Sequence, residues 1–392
     1  MKRWFFIALA VGLFGLSSKA QTVKTGVLVV GNGNNAIGAG VQSAKSGANT
    51  TILMTEAGFE PTTSNQNISS LIEREFQKAL AGSSGKTNNN ANDLLKVWTD
   101  SIKNLTIIKA VNWSKFKRSG GGWAVELTNG KTIKAQVLID ADRSGKLKSA
   151  LQLQYQPPVW QPLDYGNTIY RTSVAAGYAL NGNNASIFSM YQLLLPTQDN
   201  LVLTNPDQQS IAAGQAAGAT AAFAAFFHTK TSKASIKAIQ GELVNFKLAI
   251  MPFADVSDLD SNWKAIQFAG LSGILKGFKR NGSINFMPEQ KVAAEDIKQV
   301  FKDHFYKAQI WFDDHTSKEL TIGEALDLIC YTGSKSFATT KAEAKKNWEK
   351  VYGFKSAFDE SRIINRREFA VLLYSYNNPF NVNADKNGRI AR

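Results

Sequence analysis

The sequence predicts an α/β fold on a buried parallel sheet, followed by a mainly helical C-terminal part. Three observations carry this. The continuous apolar run Gly26–Val30 enters a glycine turn at once, and a second buried run, Thr51–Met54, follows after one helix length. Near Pro252 the chain changes to helix-and-turn patterning richer in Lys, Glu and Trp. The 392 residues are 44% hydrophobic and 19% charged with one cysteine, which excludes a disordered chain, a collagen-like repeat and a disulfide-stapled mini-protein. A mean hydropathy of -0.20, with no second long apolar run, excludes a polytopic membrane protein. The formal charge of +14 admits a nucleic-acid partner, an anionic envelope surface or no specific partner.

Residues 1–20 read as a Sec-type signal peptide. Lys2 and Arg3 form a positive start, Trp4–Leu16 an apolar stretch too short for a confident span, and Ser18 and Ala20 the small residues a signal peptidase reads. Cleavage after Ala20 makes the expected location secreted or periplasmic; an uncleaved anchor is the competing reading. Cys330, without an intramolecular partner, reads as a small buried hydrophobe. Removing the leader lowers the charge to +11, so the basic balance belongs to the mature chain.

The elements follow in order from Thr25. Gly26–Val30 is a strand, Ala36 to about Ser46 a helix ended by Gly47, and Thr51–Met54 the next strand, which together make a βαβ unit. Helices are expected at 68–80 and 91–102, with an exposed turn at Thr87–Asn90 between them. Strands are expected at 105–110, 123–127, 132–135 and 137–140, with Asn129-Gly130 as a hairpin signal. Residues 151–185 hold three of the nine prolines and few clear periods. Short strands at 193–196 and 201–203 precede a strongly small-apolar helix at 210–227.

The turn Gly31-x-Gly33-x-x-Ala36 has a chemical purpose in that setting. Gly31 permits the tight turn, Gly33 lets backbone approach a pyrophosphate, and Ala36 permits close helix packing while the helix N-terminus offers unpaired N–H groups. Glu56 lies at the strand end, about 20 residues on, where a carboxylate accepts a ribose hydroxyl. Asn at positions 32, 34 and 35 is unusual for a phosphate loop, and Met54 stands where the acid is first sought.

Two further segments sharpen this reading. Val137–Ala150, with Asp140 before its turn, resembles the return to the flavin after an inserted β-meander in flavoprotein oxidoreductases. Tyr191–Pro196, Asp199–Leu203 and Ala213–Ala222 resemble the C-terminal signature of secreted FAD-dependent oxidoreductases. The resemblance covers about residues 25–250. It implies a Rossmann-like FAD-binding domain with an inserted β-meander, Gly31, Gly33, Ala36 and Glu56 on the ADP half, Asp140 near the flavin, and Gly214, Gln215 and Gly218 at a helix start by the flavin or pyrophosphate. Independently of it, small side chains at 212–222 suit close approach either to a cofactor or to another helix. The resemblance further implies FAD-dependent oxidation of an extracytoplasmic small molecule or polymer, with hydride passing to flavin. Against turnover stand a substrate region shortened to about 151–190, no paired glycines after Glu56 and no histidine in residues 1–227. The alternative is a non-catalytic cell-envelope binding protein on a degenerate flavoprotein scaffold.

Residues 251–392 form the second expected unit. Phe253–Val256, Trp263–Ile266, Gly273–Gly277, Phe286–Pro288 and Ile364–Ala370 resemble S-layer homology modules. Thr321-x-x-Glu324 and Asn365-x-x-Glu368 are capping boxes 44 residues apart, which suggests degenerate repeats. The resemblance implies contact of Arg366 with an anionic polymer; Ile322 and Ala293, at the corresponding places, lack that base. A helical packing module without a ligand is the other reading. Asp313–His315 and Asp255, Asp258 and Asp260 lack metal-ligand geometry, so no metal is expected. His228 suits a helix C-terminus. Lys115–Arg118 is too short a basic-aromatic run to argue for nucleic acid.

Overall fold

The N-terminal half reads β1 (Thr22–Val30), α1 (Asn34–Lys45), β2 (Thr50–Leu53), β3 (Gln66–Asn67), α2 (Leu71–Ala81), α3 (Asn89–Asp100), β4 (Leu105–Ile108), β5 (Trp113–Ser119), β6 (Gly122–Leu127), β7 (Thr132–Asp140) and α4 (Lys146–Ala150). Next come β8 (Gln161–Pro162), β9 (Ser173–Ala179), β10 (Ala185–Ser189), β11 (Leu194–Leu195), β12 (Gln198–Leu203), α5 (Ile211–Phe226) and α6 (Ile236–Asn245). The C-terminal part holds α7 (Trp263–Ser272), β13 (Phe278–Arg280), β14 (Ser283–Asn285), α8 (Ala294–His304), α9 (Ala308–Asp314), α10 (Ile322–Gly333), α11 (Phe337–Asn347) and α12 (Arg366–Tyr376). These elements come from a computed structural model that describes residues 21–62, 66–81, 89–179 and 184–391; the leader lies outside them, as do residues 87 and 88 of the expected turn at 87–90, whose other two residues open α3.

Five parallel strands in the order β4-β2-β1-β7-β12 form the main sheet. Val27–Val30, Ile52, Leu53 and Val137–Ile139 are buried, as expected of strands covered on both faces. The chain moves outward from β1 through β2 to β4, then crosses back to β7, so the order reverses between β1 and β7. Ligands bind at such a switch point in open α/β sheets. The meander β5-β6 hangs from the first half of β7. Thr132–Asp140 is one continuous strand rather than two: Gln136 stays extended and its amide donates sideways to the Ala224 carbonyl of α5.

Against one face of the sheet α1 and α5 lie backbone to backbone. A Cβ on Gly214 would fall 2.4 Å from the Asn35 carbonyl oxygen, one on Gly218 2.4 Å from that of Ala39, and one on Gly38 2.2 Å from that of Ile211. These small residues therefore serve helix contact.

The segment expected to be a reduced substrate region forms an antiparallel sheet, β3-β9-β10-β8. It does not end one core and begin another. Tyr170, Ala176 and Ile187 share an apolar cluster with Trp263, Phe301, Ile329 and Phe369 across the expected boundary at 250. Arg171 crosses it too, donating to the Ser272 and Gly388 carbonyls.

Three helix starts close the C-terminal part into a pseudo-threefold ring. Val292 N–H donates to the Ile364 carbonyl, Ile364 N–H to that of Leu320, and Leu320 N–H to that of Val292. A second ring links Ala294 to Lys318, Ile322 to Arg362 and Arg366 to Gln290. The helices α8, α10 and α12 that follow are thus three copies of one unit. Thr321 and Asn365 complete their capping boxes, whereas Ala293, their equivalent, has no side chain to cap α8; the residue in the place of Arg366 is therefore Ala294 and not Ala293 as expected.

Candidate ligand cleft

At the C-terminal ends of β1, β2 and β7 lies a cleft of about 580 Å³, within the usual range for small-ligand sites. Gly31 sets its floor. Its φ of +140° and the 2.1 Å that would separate a Cβ from the Ala141 carbonyl oxygen exclude any other residue without a shift. Leu53 and Val30 supply an apolar wall and half-buried Trp113 an aromatic one. Glu56 reaches the cleft from the end of β2, with Oε1 accepting the Thr55 hydroxyl at 2.6 Å. This is the position predicted for a ribose partner. Met54 is buried beneath it.

The diphosphate end is built differently. Gln209, just before α5, places Oε1 2.3 Å from where a Cβ on Gly33 would stand, and the Arg143 side chain closes the other side at 3.0 Å. Oε1 also accepts the Asn35 N–H at 3.3 Å, while Nε2 donates to the Pro206 carbonyl at 3.0 Å. The asparagines of the turn are tied down as well. Asn34 exchanges hydrogen bonds with the Thr62 backbone in both directions. Asn35 Nδ2 donates to the Asn205 carbonyl and Oδ1 accepts from Ser210 N–H. The cradle that a glycine at 33 makes for a pyrophosphate is filled by the chain's own amide. With Gln209 in this place, the diphosphate of FAD does not fit against the turn.

Other predicted residues have structural places. Ala36 is buried in α1. Gln215 is buried between helices, donating to Gln42 Oε1 and accepting from the Ser70 hydroxyl. With Gly214 and Gly218 against the α1 backbone, the expectation that these three contact the flavin or pyrophosphate is corrected to helix packing. Asp140 sits under the cleft rather than in it: burial pushes its carboxyl up to about 7, against hydrogen bonds from Asp142 N–H and the Tyr155 hydroxyl. Arg366 is likewise corrected as a polymer contact. It is 2% exposed, donates to the Phe286 and Lys276 carbonyls, and stacks on Phe278 and Phe286, so its donors are spent inside the fold. Gln209, Arg143 and Trp113 are among the cleft residues that the sequence did not mark.

No protein-family model matches the sequence, and no curated protein matches it. Among solved structures, the chain is similar to GidA from Aquifex aeolicus, at 18% identity over 30% of this chain and 24% of that one, with a TM-score of 0.22. It is similar to p-nitrophenol 4-monooxygenase from Pseudomonas putida DLL-E4, at 11% identity over 57% and 84%, with a TM-score of 0.30. It is also similar to thioredoxin reductase from T. acidophilum, at 20% identity over 30% and 35%, with a TM-score of 0.20. The chain spans about a quarter of the GidA structures it matches. Likenesses of this size assign no activity. The α/β class rests on the five parallel strands and the glycine turn. Among the described residues no three His, Cys, Asp or Glu side chains converge on a metal position, and no helix is long and apolar enough to cross a membrane.

Proposed function

We propose that this chain is a binding protein on a flavoprotein-type scaffold, working outside the cytoplasm without redox turnover. The observation that carries this is the Gln209 amide in the Gly33 cradle, hydrogen-bonded to the N–H that a diphosphate would use. Residues 151–190, where an oxidoreductase of the resembled family would build its substrate domain, instead form a small sheet packed onto the C-terminal helices. The leader in residues 1–20 and the charge of +11 on the processed chain support an anionic envelope as its surroundings. The pseudo-threefold ring of α8, α10 and α12 supports the S-layer-homology resemblance as an architecture, with Arg366 as its internal brace.

The test is flavin retention. The full mature chain, refolded with excess FAD and separated by gel filtration, is expected to elute without visible flavin absorbance and with an unchanged melting temperature. Stoichiometric retained flavin would overturn this reading in favour of a FAD-dependent oxidoreductase. Location is tested by fractionation: mature protein beginning at Gln21 outside the cytoplasm supports the proposal, and unprocessed protein in the cytoplasm contradicts it.

A further inference from the structure

We infer that the end of the main sheet opposite the cleft rests on an anionic lipid bilayer, with Phe226 and Phe227 set among the headgroups and lysines around them. This deepens the reading of an envelope protein and rests on its placement outside the cytoplasm. Phe226 and Phe227 close α5 directly after the buried Ala224 and Ala225, yet they are 60% and 61% exposed. Their rings meet edge to face at 5.1 Å, and Phe227 packs on Phe223 at 4.7 Å, so the pair is a preformed ridge. The ridge continues into a groove of about 810 Å³ beside α1, α2 and α3. Gly47 joins the two: it lines the groove, and a Cβ on it would stand 3.8 Å from the Phe226 ring. Exposed Val97 and half-buried Trp98 extend the apolar surface there. Contiguous apolar surface of this kind marks a partner.

The charge around the ridge says which partner. The strand registers set Lys24 opposite Lys134, Lys134 opposite Ala124 and Ala124 opposite Lys117, so three lysines stand in one cross-strand row on one face. Gln136, two residues beyond Lys134 and therefore on that face, donates to the Ala224 and Thr229 carbonyls, which places the row beside the end of α5. On the other side of the ridge the groove is lined by Lys45, Lys78 and Lys103. Glu126 and Glu75 pair with Lys117 and Lys45, while Lys24 and Lys134 stand exposed. Aromatic side chains flanked by lysines on both sides match a headgroup layer, which offers negative charge outside and apolar depth beneath. The course of the chain agrees. Gln21, the residue after the expected cleavage point, donates its carbonyl to this face as acceptor of the Thr132 N–H at 3.1 Å, and β1 begins at the next residue. A leader held in the bilayer therefore brings this face to the lipid without a linker.

Co-sedimentation of the full mature chain with vesicles of equal parts phosphatidylglycerol and phosphatidylcholine, against phosphatidylcholine alone, tests this. The chain is expected to bind the anionic vesicles about tenfold or more tightly than the neutral ones, with the gap narrowing as salt screens the lysines. Lys24→Gln combined with Lys134→Gln, and separately Phe226→Ser combined with Phe227→Ser, should each weaken anionic-vesicle binding by about tenfold or more. Tyr306→Ser, which changes an 83% exposed aromatic of the C-terminal part, should leave it unchanged. The lysine pair carries the test if the phenylalanine pair fails to fold. No binding to either vesicle, equal binding to both, or anionic binding that neither pair weakens would overturn the inference and leave the flavin and fractionation tests standing. A dimer in sedimentation velocity that the phenylalanine pair breaks would assign the face to a second copy and overturn it as well. Unprocessed protein in the cytoplasm would contradict the placement itself, whatever the vesicles show.

Discussion

Replacing Gly214 with alanine sets one added methyl between two helix backbones. The new Cβ would fall 2.4 Å from the Asn35 carbonyl oxygen and 2.9 Å from the Ala39 nitrogen, so α1 and α5 must part by roughly 1 Å to restore normal contact. Overpacking of this kind costs about 1–3 kcal/mol. Alanine returns about 1 kcal/mol through its better helix propensity, which leaves a net loss of up to about 2 kcal/mol. Thermal and urea unfolding followed by circular dichroism should show a melting temperature lower by up to about 3 °C. Gly241→Ala in α6 is the control: its Cβ meets nothing within 4 Å, so only the propensity gain remains and stability should rise by up to about 1 kcal/mol. If both substitutions stabilise equally, the close α1–α5 contact is refuted and Gly214 returns to the residues available to a ligand.

The other expectations concern protonation and caps. Asp140 has its folded pKa raised by burial from 3.8 to about 7, so the folded state binds the extra proton between those values and stability falls as pH rises through that window; Asp140→Asn should remove the fall, worth a few kcal/mol, in urea melts from pH 4 to pH 8. Ala293→Thr should add the missing cap to α8, whose third residue Asp296 can complete the box, and raise stability by about 1 kcal/mol in the same melts. Arg366→Ala should cost about 3 kcal/mol or more by leaving the Phe286 and Lys276 carbonyls unpaired, and pull-down on cell-wall material at a temperature where the variant stays folded should match wild type; specific loss of pull-down would restore the polymer role.

How legible each part was depends on how local its cause is. The strand, glycine turn and helix from Thr22 to Lys45 follow from a buried apolar run and a residue that alone tolerates φ of +140°, and both are visible in the sequence. Glu56 was legible because its distance from the turn is fixed by one helix and one strand. The closure of the cradle was not, since Gln209 meets Asn35 across 174 residues of chain and no local pattern announces it. The small residues of α5 specify close approach without saying to what, and only the packing against α1 decides between cofactor and helix. The antiparallel sheet escaped notice because β3 and β8 are two residues each and periodicity has no purchase on them. In the C-terminal part the capping boxes at Thr321 and Asn365 were readable, while the first copy is disguised by Ala293, which keeps the backbone geometry of a cap without its side chain. Arg366 has the residue type of a polymer contact; its burial is a tertiary fact.

The central claim is that the chain's own amide occupies the diphosphate end of the cleft, and a crystal structure of the mature protein grown with saturating FAD tests it most directly. The predicted result is Gln209 Oε1 within hydrogen-bond distance of the Asn35 N–H and no diphosphate density at Gly33. Gln209 displaced, with a diphosphate bound to the turn in its place, would contradict the account.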